Sequence, residues 1–93
     1  MTQLDLVARR VVVHGRVQGV FFRDTCRREA QARGVAGWVT NRYNDTVEAV
    51  FEGPPDAVDA MVAWARTGPR AANVDRLDVT DIDAAGLAGF QVR

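Results

Sequence analysis

His14-Gly15-Arg16-Val17-Gln18-Gly19-Val20-Phe21-Phe22-Arg23 follows a valine-rich apolar run and precedes a helical pattern. It therefore reads as a strand, a glycine-bearing loop, and a helix whose first turn carries an arginine. Glycine lets backbone N–H groups converge where a side chain would block them, and a helix start adds unpaired donors with a partial positive charge. Arg23 brings a planar fork suited to phosphate oxygens. An arginine there also opposes the helix dipole, a local cost that a bound anion would relieve. The stretch is expected to form a phosphate cradle.

Working outward, Leu6–His14 gives a first strand with Val11 and Val13 facing inward and His14 on the opposite face. Downstream, Phe22, Cys26 and Ala30 fall four apart on one face of a helix over 22–33, with Gly34 as its stop. Asp24 offsets the positive helix end and can pair with Arg28 one turn on. Val35–Arg42 and Thr46–Gly53 read as two strands joined by a hairpin through Tyr43-Asn44-Asp45, and Val47, Ala49 and Phe51 alternate with Glu48, Val50 and Glu52. Pro54-Pro55-Asp56 opens a second helix whose stripe is Val58, Met61, Val62 and Ala65, and Gly68-Pro69 ends it. Asn73–Ile82 is a fourth strand with Leu77 and Val79 on one face, and 90–93 forms a short terminal strand or strand extension.

The order strand, helix, strand, strand, helix, strand specifies an α+β fold, the ferredoxin-like split βαβ, with two helices packed on one face of an antiparallel sheet. Right-handed crossovers place the first and third strands side by side. A chain of 93 residues is expected to form one domain over 1–93.

Composition removes several function classes. Twelve basic and twelve acidic residues leave no net charge, which disfavours a protein that coats nucleic acid or an anionic membrane. All the basic residues are arginines, which excludes a lysine Schiff base. Cys26, the single cysteine, allows no internal disulfide and no thiolate-rich zinc site; it is expected to be a small buried residue, not a nucleophile. His14 has no second ligand at metal spacing and reads as structural, as do Met61 and Trp64. Met1–Arg10 lacks the apolar core of a signal peptide, and no run reaches the ~20 apolar residues of a membrane span. A cytoplasmic monomer is expected.

The loop does not carry the Lys-Ser/Thr pair of a Walker loop or the spacing of a dinucleotide fingerprint. Gly15-Arg16-Val17-Gln18-Gly19-Val20-x-Phe22-Arg23 instead resembles the first motif of the acylphosphatase family. Gly37-Trp38-Val39-x-Asn41, followed by Val47-Glu48 and Gly53, resembles its second. The likeness extends through Gly68-Pro69 and Val74-Asp75-Arg76.

That resemblance implies hydrolysis of the carboxyl–phosphate bond of small acyl phosphates, with no metal and no cofactor. It implies that Arg23 binds the phosphoryl group and that Asn41 positions the attacking water. The backbone N–H groups of Gln18, Gly19, Val20, Phe21 and Phe22 would complete the cradle. Phosphoryl transfer depends mostly on placement and charge stabilisation, and a carboxylate leaves with little or no proton donation, so a strong acid–base pair is dispensable.

Two positions depart from the family's usual pattern. Asp45 stands where glycine is common in the hairpin turn, which bears on turn shape, and Phe21 stands where glycine is often found, which bears on substrate access. A non-catalytic phosphate- or acyl-phosphate-binding module of the same fold is the main alternative, disfavoured by Arg23 and Asn41 occurring together. An RNA-binding domain is disfavoured by the neutral charge and the absence of paired aromatics on the central strands.

Overall fold

Apolar side chains at every second position of the first and third strands determine how the chain assembles. In the computed structural model, which describes residues 5–93, β1 spans Val7–Arg16 and β3 spans Val47–Gly53. The two pair antiparallel at the centre of the sheet, with Val11 opposite Ala49 and Val13 opposite Val47. β2 (Ala36–Asn41) flanks β3, and β4 (Asn73–Ile82) flanks β1, both antiparallel. Residues 1–4, the start of the segment read above as lacking a signal-peptide core, lie outside the described residues.

α1 (Phe22–Ala32) buries Phe22, Cys26 and Ala30, and α2 (Pro55–Ala65) buries Val58, Met61, Val62 and Ala65, the two stripes expected from spacing. Both stripes join Val11, Val13, Val39, Val47, Ala49 and Phe51 in one core cluster. The helices thus cover a single face of the sheet, and the Phe22 and Trp64 rings, 5.2 Å apart, tie α1 to α2. Past the end of α1, the amides of Gly34 and Val35 return to the carbonyls of Gln31 and Ala30 and close the last turn.

The sheet departs from the expected antiparallel arrangement at one edge. Its order is β4-β1-β3-β2-β5, and β5 (Phe90–Val92) runs parallel to β2. β4 is antiparallel to β1, so a chain that turns back after β4 runs in the same direction as β1 and β2, and β5 adds to the β2 edge in parallel. The connection is held by Glu52, whose carboxylate oxygens accept from the backbone N–H groups of Ala85 and Leu87 at 2.6 and 2.8 Å.

β3 also differs from a half-buried strand. Val47, Ala49 and Phe51 face the helices, yet Glu48, Val50 and Glu52 on the other face are buried as well. Glu52 is covered by the segment it anchors, and Glu48 is enclosed by ion pairs to Arg10 and Arg42. Burial by itself raises the Glu48 carboxyl, but the two arginines outweigh it and hold the group below its ordinary value. β4 is an exposed edge strand, with Leu77 half-buried and Val79 open to solvent.

Candidate active site

The loop between β1 and α1 begins at an irregularity in pairing with β4 between His14 and Gly15. Gly15 has φ +127°, and a Cβ there would stand 2.2 Å from the Asn73 carbonyl oxygen. Its glycine is required by the close approach of β4, so it supports the loop from beneath and does not line the cavity. Val17 and Val20 are buried and anchor the loop, whereas Gly19, at φ +72°, has open space around its Cα.

Phe21, the residue before α1, also adopts the left-handed region at φ +62°, although its side chain is bulky and its exposure is 79%. That conformation costs roughly 1–2 kcal/mol for an L-residue. It turns the backbone sharply into the helix, and the Phe21 carbonyl accepts the first helical bond, from Thr25, at 3.1 Å. The backbone N–H groups of Gln18, Gly19, Val20, Phe21 and Phe22 have no acceptor among the described residues. A run of unpaired donors at a helix start forms an anion-binding concavity.

A cavity of about 450 Å³ opens here, lined by Gly19, Phe21, Phe22, Arg23 and Asn41 together with Val17, Asp24, Arg27 and Val92. Arg23 reaches it from the first turn of α1 and Asn41 from the last residue of β2, 18 positions later in the chain but in the same wall. Among the described residues Arg23 forms no pair with an Asp or Glu side chain, and its Nη1 makes a long 3.4 Å contact to the Arg93 backbone oxygen. Asp24 is instead held by Arg27 and Arg28, at 3.0 and 2.9 Å. The guanidinium at the cavity is therefore available to an anion.

Among the predicted loop residues, Gln18 and Val20 do not line the cavity; Val20 packs into the core, and the Gln18 side chain turns toward the β2–β3 hairpin. Val92 could not be foreseen at the cavity, because it arrives there through the parallel pairing of β5 with β2. In the hairpin, Asp45 takes φ +67°, the conformation glycine usually supplies, and an Asp side chain tolerates it.

Other reactive side chains lie elsewhere. Cys26 is fully buried in the core, and burial, aided by Glu29, pushes its thiol far above the ordinary value, so it stays neutral. His14 sits on the open sheet face, 2.9 Å from Asp78 and 3.2 Å from Arg76. Among the described residues no three His, Cys, Asp or Glu side chains converge as a metal site.

Fold and site together define a ferredoxin-like α+β domain with a candidate anion site between its first helix and the end of its second strand. The chain belongs to the acylphosphatase family, whose sequence model matches residues 9–92. An acylphosphatase of Rubrobacter xylanophilus is 53% identical over 85 residues, covering 90% of this chain and 77% of that one. The solved acylphosphatase of Coxiella burnetii superposes over the whole of both chains with a TM-score of 0.94 and 35% identity. That of Bacillus subtilis covers 94% of this chain and 98% of its own, with a TM-score of 0.89 and 36% identity.

Proposed function

We propose that this chain hydrolyses the carboxyl–phosphate bond of small acyl phosphates, as its membership of the acylphosphatase family implies, with Arg23 and Asn41 as its catalytic residues. The observation that carries this assignment is that Arg23, Asn41 and three residues of the donor run, Gly19, Phe21 and Phe22, line one cavity, with no Asp or Glu side chain among the described residues paired to the arginine. Arg23 and the N–H groups of residues 18–22 bind the phosphoryl oxygens. Asn41 accepts a hydrogen bond from water through its amide oxygen and orients it without a charge that would repel phosphate.

In the reaction, water oxygen bonds to phosphorus as the bond from phosphorus to the acyl oxygen breaks. The electron pair leaves with the carboxylate; one water proton stays on the oxygen now bonded to phosphorus, and the other moves to a phosphoryl oxygen or to solvent. Placement and charge stabilisation suffice because the leaving group is a weak base. The proposed reaction needs no metal and no cofactor.

The chain acts as one domain over residues 1–93 and as a monomer in the cytoplasm, on small molecules and not on nucleic acid. No helix among the described residues is long and apolar enough to cross a membrane. A chelator-treated hydrolysis assay on benzoyl phosphate, run beside a phosphate monoester, tests the reaction class. Rapid cleavage of the first and none of the second is expected; absence of acyl phosphate cleavage overturns the assignment.

A further inference from the structure

Gln18 belongs to the phosphate loop by sequence, yet its side chain works elsewhere. Its Nε2 donates to the Arg42 carbonyl at 2.7 Å and to the Thr46 carbonyl at 2.9 Å. Both acceptors are carbonyl oxygens, so the amide can only present its NH2, and both of its protons are engaged. Arg42 follows Asn41 directly in the chain, and Thr46 stands across the turn from it. The two carbonyls are the mouth of the β2–β3 hairpin.

Neither carbonyl needs Gln18 in order to be satisfied. Thr46 O already accepts from the Arg42 amide at 2.8 Å, and Arg42 O accepts from the Asp45 amide at 3.3 Å. The turn is closed further by Asn44, whose Oδ1 accepts from the Thr46 hydroxyl at 2.6 Å. At its tip Tyr43 is 94% exposed. The hairpin thus forms through its own bonds. What the Gln18 amide adds is a connection between this turn and the loop that carries the unpaired N–H groups.

From this redundancy we infer that Gln18 is a positioning residue, which fixes Asn41 relative to the phosphate loop by holding the carbonyls of Arg42 and Thr46. The inference rests on the proposed role of Asn41 in orienting water. Phosphate is bound by the loop and Arg23, whereas the water is placed by a residue on a different element, so in-line geometry requires that the two elements keep one separation. A displacement of about 1 Å is enough to cost on the order of a hundredfold in rate. Phosphate binding does not depend on that separation.

The test compares wild type, Gln18→Met, Asn41→Ala and the double variant, with kcat and KM for benzoyl phosphate and the inhibition constant of inorganic phosphate. Gln18→Met keeps length and volume and removes both donors. It is expected to lower kcat about tenfold or more, to leave the phosphate inhibition constant within about twofold, and to cost less than about twofold in kcat when Asn41 is already alanine. Gln18→Asn, whose amide is one methylene too short to reach both carbonyls, is expected to behave alike and serves if the Met variant does not fold. An unchanged kcat in a folded Gln18 variant overturns the inference, as does an equal loss with and without Asn41, or a loss confined to phosphate affinity. If Asn41→Ala alone leaves kcat intact, the role of Asn41 is what fails, and the role given to Gln18 falls with it.

Discussion

Arg23, in the first turn of α1, and Asn41, the last residue of β2, line the same cavity, and no carboxylate side chain among the described residues is paired with the arginine. A cation placed at a helix start is locally unfavourable, and the anionic substrate proposed above would relieve that cost. In the proposed mechanism two tasks fall to two elements: charge from the helix and loop, water placement from the strand end.

Arg23→Lys keeps the charge and loses the planar fork. If Arg23 binds two phosphoryl oxygens at once, the lysine variant should lose most activity, with kcat/KM for benzoyl phosphate down by about a hundredfold or more. Near-normal turnover by a folded Arg23→Lys protein would show that a point charge suffices and would remove the bidentate role.

Asn41→Ala should act on the water and not on the phosphate. The expected result is a kcat lowered by about a hundredfold, with the inhibition constant for inorganic phosphate little changed. A collapse of phosphate affinity at constant kcat would make Asn41 a binding residue.

Much of this arrangement was legible in the sequence. The helix faces of Phe22, Cys26 and Ala30 and of Val58, Met61 and Val62 carry their own periodicity, and the loop, Arg23 and Asn41 lie in recognisable order along the chain. What was not legible depends on contacts with backbone. The acceptors of Gln18 are main-chain carbonyls of Arg42 and Thr46, which any residue types would supply, and Gly15 is required by the Asn73 backbone. Glu52 has the pattern of an outward-facing carboxylate and is buried only because the amides of Ala85 and Leu87 come to it. Val92 reaches the cavity because β5 joins the sheet in parallel beside β2, a pairing that no local periodicity encodes.

Phe21→Gly should stabilise the fold while preserving the cradle. The native φ of +62° is strained for phenylalanine and free for glycine, a gain of roughly 1–2 kcal/mol, and glycine returns about 0.5–1 kcal/mol of that through its greater freedom in the unfolded chain. The ring is 79% exposed, so little buried contact is lost. Urea unfolding is expected to show a net increase of up to about 1.5 kcal/mol, and acetyl phosphate turnover should hold within about twofold because the backbone N–H remains. A clear loss of stability would mean that the exposed ring makes contacts that outweigh the backbone strain.

Glu48 makes stability depend on acidity. Its carboxylate pairs with both Arg10 and Arg42 on the open sheet face and is 9% exposed, and although burial raises the carboxyl, the two guanidinium groups lower it further. A carboxyl whose folded value is depressed contributes stability above its unfolded value, and that contribution is lost as the pH falls through the folded value. Glu48→Gln removes the charge and leaves two arginines without their shared partner, so it should destabilise the protein by about 1–3 kcal/mol near neutral pH. The gap between the two proteins should narrow in acid, as the pH falls below the ordinary carboxylate range and through the depressed value of the native Glu48 carboxyl. Denaturant unfolding at both conditions measures it. A gap equally wide at low pH would assign the loss to packing, since a packing defect does not titrate.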